Sequence, residues 1–355
     1  MFPPRLTERD PDASIRETDT DAAVARFSAV QKGYVQDPFV RYFVPRPHLQ
    51  HPRPPLINVG TYLRGTAIDE LVDEWLVQSQ SVGLQCQIVS MGAGSDTRFW
   101  RLATGKHKDT LARYIEIDFP EVTGKKAMAM RKSRDLNEVI GIGATDVRMS
   151  NGGIGVQTKY QLLPADLRQP PSTTFTKLLA TPLWEGDSPL LSPSLPTLLL
   201  FECVLAYMEP TASDAILRWF VDYSSSGGSP LGAIVYEMFG LEDAFGKVMV
   251  NNLKSRNVSL PGAAPYPTVD SLPLRFLNTG FTAARALTLR EIWKSYISPE
   301  ELERISTLEM LDEVEELDLV LEHYAVTWGL LLPNPDAAAQ SQWGGWGLKR
   351  KNPCT

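Results

Sequence analysis

Four points in this sequence, each closing an apolar run, carry residue types that could do chemistry. Gly92-Ala93-Gly94 follows the run 86–91, Asp118 follows 113–117, Asp166 follows 160–163 within LLPADL, and Glu202 follows 197–201. Glycine at a strand end lets a ligand approach the backbone, because no Cβ stands in the way. A dinucleotide fingerprint would place a third glycine at position 97, where this chain has Thr97. With no pyrophosphate to cradle, the third glycine is dispensable, which favours an adenosyl ligand with an amino-acid tail over NAD; a tight turn without a ligand is the alternative. A carboxylate such as Asp118 at the end of the next strand can accept both ribose hydroxyls. Glu116 shares its face by the two-residue strand period, and Asp118 is preferred as the nearer to the carboxyl end. Asp166 suits the exocyclic amine of adenine with Leu167 against the ring, or else a helix N-cap. Glu202 ends a buried run and needs a cation, either a ligand ammonium or an arginine or lysine of the chain. Arg64 and Lys32, read alone, are solvated charges.

The elements that must hold these residues alternate. Apolar runs at 86–91, 113–117, 160–163, 197–201 and 231–236 read as strands buried on both faces of a parallel sheet. Helical patterns lie between several of them, so the fold class is α/β, doubly wound. Residues 281–289 and 321–331 add a sixth strand and a seventh that can return antiparallel, the sheet of the common S-adenosylmethionine-dependent methyltransferases. Earlier helices are expected at 20–32, capped by Asp19 or Thr20, and at 63–78, with one apolar face. A late helix is expected at 298–317, with Ser298 as N-cap, Pro299 in the first turn and Glu301 completing a capping box. Residues 1–19 are polar and proline-containing and read as a disordered tail. One methyltransferase domain then covers 20–330, with insertions at 168–196 and 240–273, and a C-terminal extension covers 331–355. The second insertion would lie over the carboxyl edge of the sheet, where ligands bind. The glycine-rich segment 141–155 follows no strand and reads as a flexible turn.

The bulk properties narrow the class further. The chain has 355 residues and a net charge of -7, which gives no support to nucleic-acid binding. No apolar run approaches the roughly 20 residues of a membrane span. Three widely separated cysteines (Cys86, Cys203 and Cys354) and four histidines without ligand spacing point to no metal and to a reducing, cytoplasmic setting.

Taken in order, QKGY, INVGTYLRGTAIDELVDEWL, VSMGAGSDTRFWRL, YIEIDFPEV, PADLR, FECVLAYMEP, FGKVMVNNLKSRN and EHYAVTWG resemble the leucine carboxyl methyltransferase family, over about residues 20–330. The resemblance implies a seven-stranded class I, Rossmann-like S-adenosylmethionine-dependent sheet with additional helices forming a substrate lid. It implies methylation of the C-terminal leucine carboxylate of the protein phosphatase 2A catalytic subunit. The sequence shows no self-complementary interface, so a monomer that meets the phosphatase in a heterocomplex is expected. The family's S-adenosylmethionine contacts fall on Lys32, Arg64, Gly92, Asp118, Asp166, Leu167 and Glu202, with Lys32 and Arg64 on the methionine carboxylate. The chain departs from the pattern in a longer proline- and serine-rich loop before the fourth strand and in QDPFV after QKGY. Arg64, Tyr207, Tyr236, Glu237, His323 and Tyr324 are candidates to orient the acceptor carboxylate, and no catalytic residue is assigned among them. Competing readings are a tRNA wybutosine-type carboxyl methyltransferase, a small-molecule carboxyl O-methyltransferase, and a phosphatase-binding module without catalysis. The first would carry a C-terminal propeller, for which about 25 residues after the last strand leave no repeat. Intact Gly92, Asp118 and Glu202 argue against the last.

Overall fold

The computed structural model describes residues 10, 12–141, 147–150, 153–156, 159–182, 188–334 and 337–352. Nine strands form one sheet: β1 (Cys86–Met91), β2 (Leu111–Asp118), β3 (Val147–Ser150), β4 (Gly153–Val156), β5 (Tyr160–Pro164), β6 (Thr197–Glu202), β7 (Leu231–Met238), β8 (Ala283–Thr288) and β9 (Tyr324–Leu331). Their order is β3-β4-β5-β2-β1-β6-β7-β9-β8. The pairs β5/β2, β2/β1, β1/β6 and β6/β7 are parallel, and β9 runs antiparallel between β7 and β8. These seven strands are the expected sheet. The antiparallel hairpin β3-β4 extends it at one edge. Within the glycine-rich segment Gly141 is a turn, but residues 147–150 and 153–155 are strand, where a turn was expected; residues 142–146 and 151–152 lie outside the described residues.

Alternation along the strands divides the core in two. Ile88, Leu198, Leu200 and Ile234 face a cluster built around Trp75, while Val89, Ile115, Leu199 and Val235 face a cluster built around Phe175 and Phe220. Burial on both faces explains the near-continuous apolar strands. Chain order reverses between β1 and β6, so the sheet leaves a crevice at the carboxyl ends of those two strands.

Helices α1 (Ala13–Gln31), α2 (Pro55–Ser81), α3 (Arg98–Ala103) and α4 (Pro120–Lys132) surround that crevice. Helix α1 begins at residue 13, so residues 13–19 of the expected tail are helical; residues 1–9 and 11 lie outside the described residues. The polar composition hid a helix whose acids reach out to the body of the protein. Arg168 clamps Asp12 with Nη1 and Nη2, both at 2.7 Å. The first insertion carries a helix, Pro171–Leu178, anchored by buried Phe175 against Trp219 and Phe220, rather than surface loop throughout; residues 183–187 lie outside the described residues. The second insertion holds the helix Ala244–Ser255, capped by the Asp243 side chain at Gly246 N–H.

The expected helix at 298–317 is two helices, Pro299–Ser306 and Val314–Glu322, with a non-helical stretch between them. Ser298 does cap the first, but Glu301 turns its carboxylate to Arg304 instead of back to the cap. The C-terminal extension also belongs to the core. Trp343 and Trp346 pack on Trp75 at 4.5 and 5.1 Å between ring centroids, and Trp346 Nε1 donates to the Leu71 carbonyl at 3.0 Å. The domain therefore does not end at residue 330.

Two glycines test this packing in opposite directions. A Cβ on Gly232 in β7 would stand 2.6 Å from Trp75 Cζ3 and 2.9 Å from Leu198 Cδ1. Gly232→Ala should cost about 1–3 kcal/mol of stability by overpacking. Gly124 in α4 has open space at its Cβ, so Gly124→Ala should add roughly 0.5–1 kcal/mol. Chemical denaturation of the two variants beside the wild type measures both.

Candidate active site

A cavity of about 840 Å³ opens at the carboxyl ends of β1, β2, β6 and β7, with α1 over it. The turn after β1 forms its floor. Gly92 and Gly94 have φ of +62° and +49°, values that glycine adopts without strain. A Cβ on Gly92 would lie 2.6 Å from Val204 Cγ2, and one on Gly94 would lie 2.5 Å from Asp19 Oδ1. The close approach that demands glycine is thus partly to the chain's own side chains. Asp118 is fixed by two backbone donors, Gly94 N–H to Oδ2 and Phe119 N–H to Oδ1, both at 2.7 Å. Burial pushes its carboxyl up to about 6, against the pull of those donors. Asp19 accepts from Ser95 N–H at 2.6 Å, so two carboxylates grip the same turn.

The opposite wall is an ionic cluster. Glu202 at the end of β6 stands 2.8 Å from Arg64 Nε of α2 and 3.6 Å from Arg98 Nη2 of α3. Arg98 also binds Asp69 at 2.8 Å and Asp96 at 2.6 Å. Burial works against the Asp69 anion, yet Arg101 and Arg98 hold its carboxyl well below the usual carboxylate range. Burial likewise opposes the Arg64 cation, and Glu202 leads the neighbouring groups that together outweigh it, so Arg64 stays charged. Arg64 Nε is buried and lacks a directed hydrogen bond despite the short ion-pair distance. The guanidinium lies 5.4 Å from the Tyr236 ring, which stacks on Tyr324 at 5.4 Å and 13°. Cys203, between Glu202 and Val204, takes φ +56°, and burial pushes its thiol up to about 12, so it is a neutral wall residue.

Of the seven expected cofactor contacts, Arg64, Gly92, Asp118, Asp166, Leu167 and Glu202 line this cavity. Lys32 does not. It caps α1 and pairs with Glu309 at 2.9 Å. Among the candidate orienting residues, Arg64, Tyr207, Tyr236 and Tyr324 line the cavity. His323 instead faces Asp243 Oδ2 at 3.0 Å and the Leu319 carbonyl at 2.8 Å, and Glu237 is sealed against Arg275 at 2.8 Å. Asp166 does not cap a helix; it receives Arg168 N–H and Nε, each at 2.9 Å. Sequence reasoning overlooked Asp19, Arg98 and Arg168. Asp19 was read as a helix cap at the end of the expected tail, whereas it lies inside α1, and Arg98 was absorbed into a turn, while the PADLR motif contained the signal for Arg168 without its meaning.

The arrangement offers an acidic acceptor for a ribose, an acid and a base side by side for an amino-acid end group, and an apolar floor between. The Leucine carboxyl methyltransferase family profile matches residues 14–221, more than half of the chain. Leucine carboxyl methyltransferase 1 of Cryptococcus neoformans is 44% identical, over 93% of this chain and 97% of its own length. The Aspergillus fumigatus protein of the same name is 37% identical, over 90% of this chain and 83% of its own. An Arabidopsis thaliana homolog is 35% identical, over 90% and 89%. This chain belongs to the leucine carboxyl methyltransferase family. It is an S-adenosylmethionine-dependent carboxyl methyltransferase, and the residues around the cavity fit that cofactor. Arg64 and Glu202 present the opposite charges that an amino-acid zwitterion needs, and Asp118 presents a buried carboxylate at the strand end.

The raised pKa of Asp118 has a sign that can be checked. Its carboxyl ionises near the ordinary 3.9 when unfolded and near 6 when folded. Its contribution to stability is therefore full below about pH 4 and is lost as pH rises through 6. Asp118→Asn removes that loss, so the variant's melting temperature relative to wild type should climb between pH 4 and 6 and level off above. Any constant offset from altered hydrogen bonding leaves this slope intact. Thermal unfolding across pH 4–7 measures it.

Proposed function

We propose that this methyltransferase acts on the C-terminal leucine α-carboxylate of the protein phosphatase 2A catalytic subunit, giving a methyl ester and S-adenosylhomocysteine. The reading rests on the family, whose members match over 78–97% of their length, and on one cavity that brings Arg64, Asp118 and Glu202 together. Asp118 receives the ribose hydroxyls, Asp166 and Leu167 the adenine, Glu202 the cofactor ammonium, and Arg64 its carboxylate. Lys32 falls outside this set because of its place on Glu309.

When bound, S-adenosylmethionine supplies an electrophilic methyl group on a sulfonium. The acceptor needs no general base, because an α-carboxyl with a pKa around 3.3–3.7 is already ionised at neutral pH. The work of the protein is then alignment and removal of water, which can supply roughly 7–11 kcal/mol at best. Tyr236, Tyr324 and Tyr207 are suited to this work. Burial pushes all three phenols well above their ordinary value, so they remain neutral donors. They can orient a carboxylate oxygen without adding a cation that would hold the ground state too firmly. We further place the enzyme in the cytoplasm as a monomer that contacts the phosphatase transiently, in keeping with its widely spaced cysteines.

Labelled methyl transfer from S-adenosylmethionine to purified phosphatase 2A catalytic subunit tests the assignment, beside a copy lacking the terminal leucine. Label should appear on the intact subunit alone. Label on neither, with cofactor binding demonstrated, would discard the phosphatase as substrate. Arg64→Ala and Asp118→Ala should each weaken cofactor binding by roughly 10- to 100-fold, as expected for charge-assisted bonds worth about 1.5–3 kcal/mol. Lys32→Ala should leave it within about twofold in the same titration.

A further inference from the structure

The cavity has a second charged end, remote in role from the ionic cluster around Glu202. Arg53, from the irregular segment before α2, and Arg256, at the end of the helix Ala244–Ser255, both line it. Between them stands Asp21 of α1, 2.5 Å from Arg256 Nη2 and 3.9 Å from Arg53 Nη2. The three side chains are 49%, 41% and 51% exposed, so solvent and solutes reach them. Arg53 is nonetheless well placed. Its N–H donates to Ser28 Oγ at 2.7 Å, and its carbonyl receives Asn58 Nδ2 at 3.1 Å. Arg256 caps its helix, where the helix dipole favours a cation.

The lining of a single cavity joins this end to the methyl-transfer end. Arg64 lies over Tyr236, which stacks on Tyr324. Tyr207 lines the same cavity as Thr18, Cys203, Tyr324 and Arg256. A peptide whose terminal carboxylate sits by these tyrosines must leave the cavity, and the two arginines lie along its lining. On a chain with net charge -7, two arginines at an opening are a local exception that focuses anions.

We propose that Arg53 and Arg256 form a subsite for an acidic side chain upstream of the methylated terminus of the acceptor peptide, and that Asp21 holds the subsite until that carboxylate replaces it. The inference rests on the reading of the acceptor as a leucine-terminated tail. The bound species is a peptide side-chain carboxylate, which matches the geometry of the carboxylate now held there. Exchange of one carboxylate for another conserves the ion pairs, so the subsite selects substrates without a large change in overall affinity.

The test uses leucine-terminated peptides that differ by a single aspartate or asparagine, moved through successive upstream positions, with the full-length enzyme. At one position, aspartate should lower KM roughly 2- to 5-fold relative to asparagine with kcat unchanged, as expected for an exposed charge pair worth up to about 1 kcal/mol. Arg53→Gln/Arg256→Gln should abolish that difference while leaving KM for the asparagine peptide near the wild-type value. Asp21→Asn should lower KM for the aspartate peptide further. Equal KM for aspartate and asparagine at every position, with normal turnover, would overturn the subsite and leave the acceptor assignment standing. A rise in KM of the double variant that is the same for both peptides would also overturn it. Failure of the wild type to methylate any leucine-terminated peptide or the phosphatase would overturn both.

Discussion

One buried guanidinium holds the site in shape. Arg98 is 2% exposed and is shared by Asp69 of α2, Asp96 of the glycine turn and Glu202 of β6. Those three carboxylates belong to three separate elements, so a single side chain fixes how the helix, the turn and the strand meet. Removing one partner of a buried pair typically costs 3–5 kcal/mol, because the other charge is left unpaired in a poor solvent. Here Asp96 would lose its ion pair, while Glu202 would keep Arg64 and Asp69 would keep Arg101. Arg101 reinforces the arrangement from the next turn of α3, with Nη1 2.5 Å from Asp69.

A second buried network lies two residues from Asp118 and shows why strand position decides function. Glu116 is fully buried, paired with Lys126 and receiving Tyr160 O–H at 2.7 Å. Burial pushes its carboxyl up to about 7, against the pull of Lys126. Lys126 in turn donates to the Asp96 carbonyl at 2.7 Å, so this network supports the floor of the cavity from beneath. Asp118, at the strand's last position, reaches the cavity instead. The two acids share a face, as the strand period required, and differ in that one is capped by the core and the other by the turn.

How far the sequence could be read follows from the range of the forces involved. Apolar runs flanked by turn residues located the five parallel strands and β9, because burial on both faces leaves a signal in nearly every residue, whereas the edge strand β8 is largely exposed and showed only strand-like composition. Asp118, Asp166 and Glu202 were legible because a charge ending an apolar run has to be accounted for. The start of α1 was not legible. Its stability comes from acids that meet Arg168, Ser95 and Arg256 across long sequence separations, and a polar stretch does not announce those partners. Lys32 and His323 lie off the cavity lining for the converse reason. Each found a nearer structural partner, Glu309 or Asp243, that no local pattern encodes. The C-terminal tryptophans were left in an extension because their partner, Trp75, lies more than two hundred residues earlier.

The charge arrangement of the cavity as a whole suits transfer between opposite charges. Seven arginines line it: Arg16, Arg26, Arg53, Arg64, Arg98, Arg168 and Arg256. Every one has a carboxylate partner on the chain, Arg16 with Asp10 and Arg26 with Asp37 among them. Among the described residues, a carboxylate nucleophile entering this space meets no uncommitted guanidinium. That matters because carboxylate and sulfonium neutralise each other as they react. A strong cation beside the nucleophile would be felt most in the ground state and would slow the step, since only interactions stronger in the transition state accelerate it. Neutral phenols and paired arginines can position the anion while leaving the sulfonium as its strongest attraction. The same saturation with ion pairs that fixes the walls of the cavity therefore keeps the acceptor reactive.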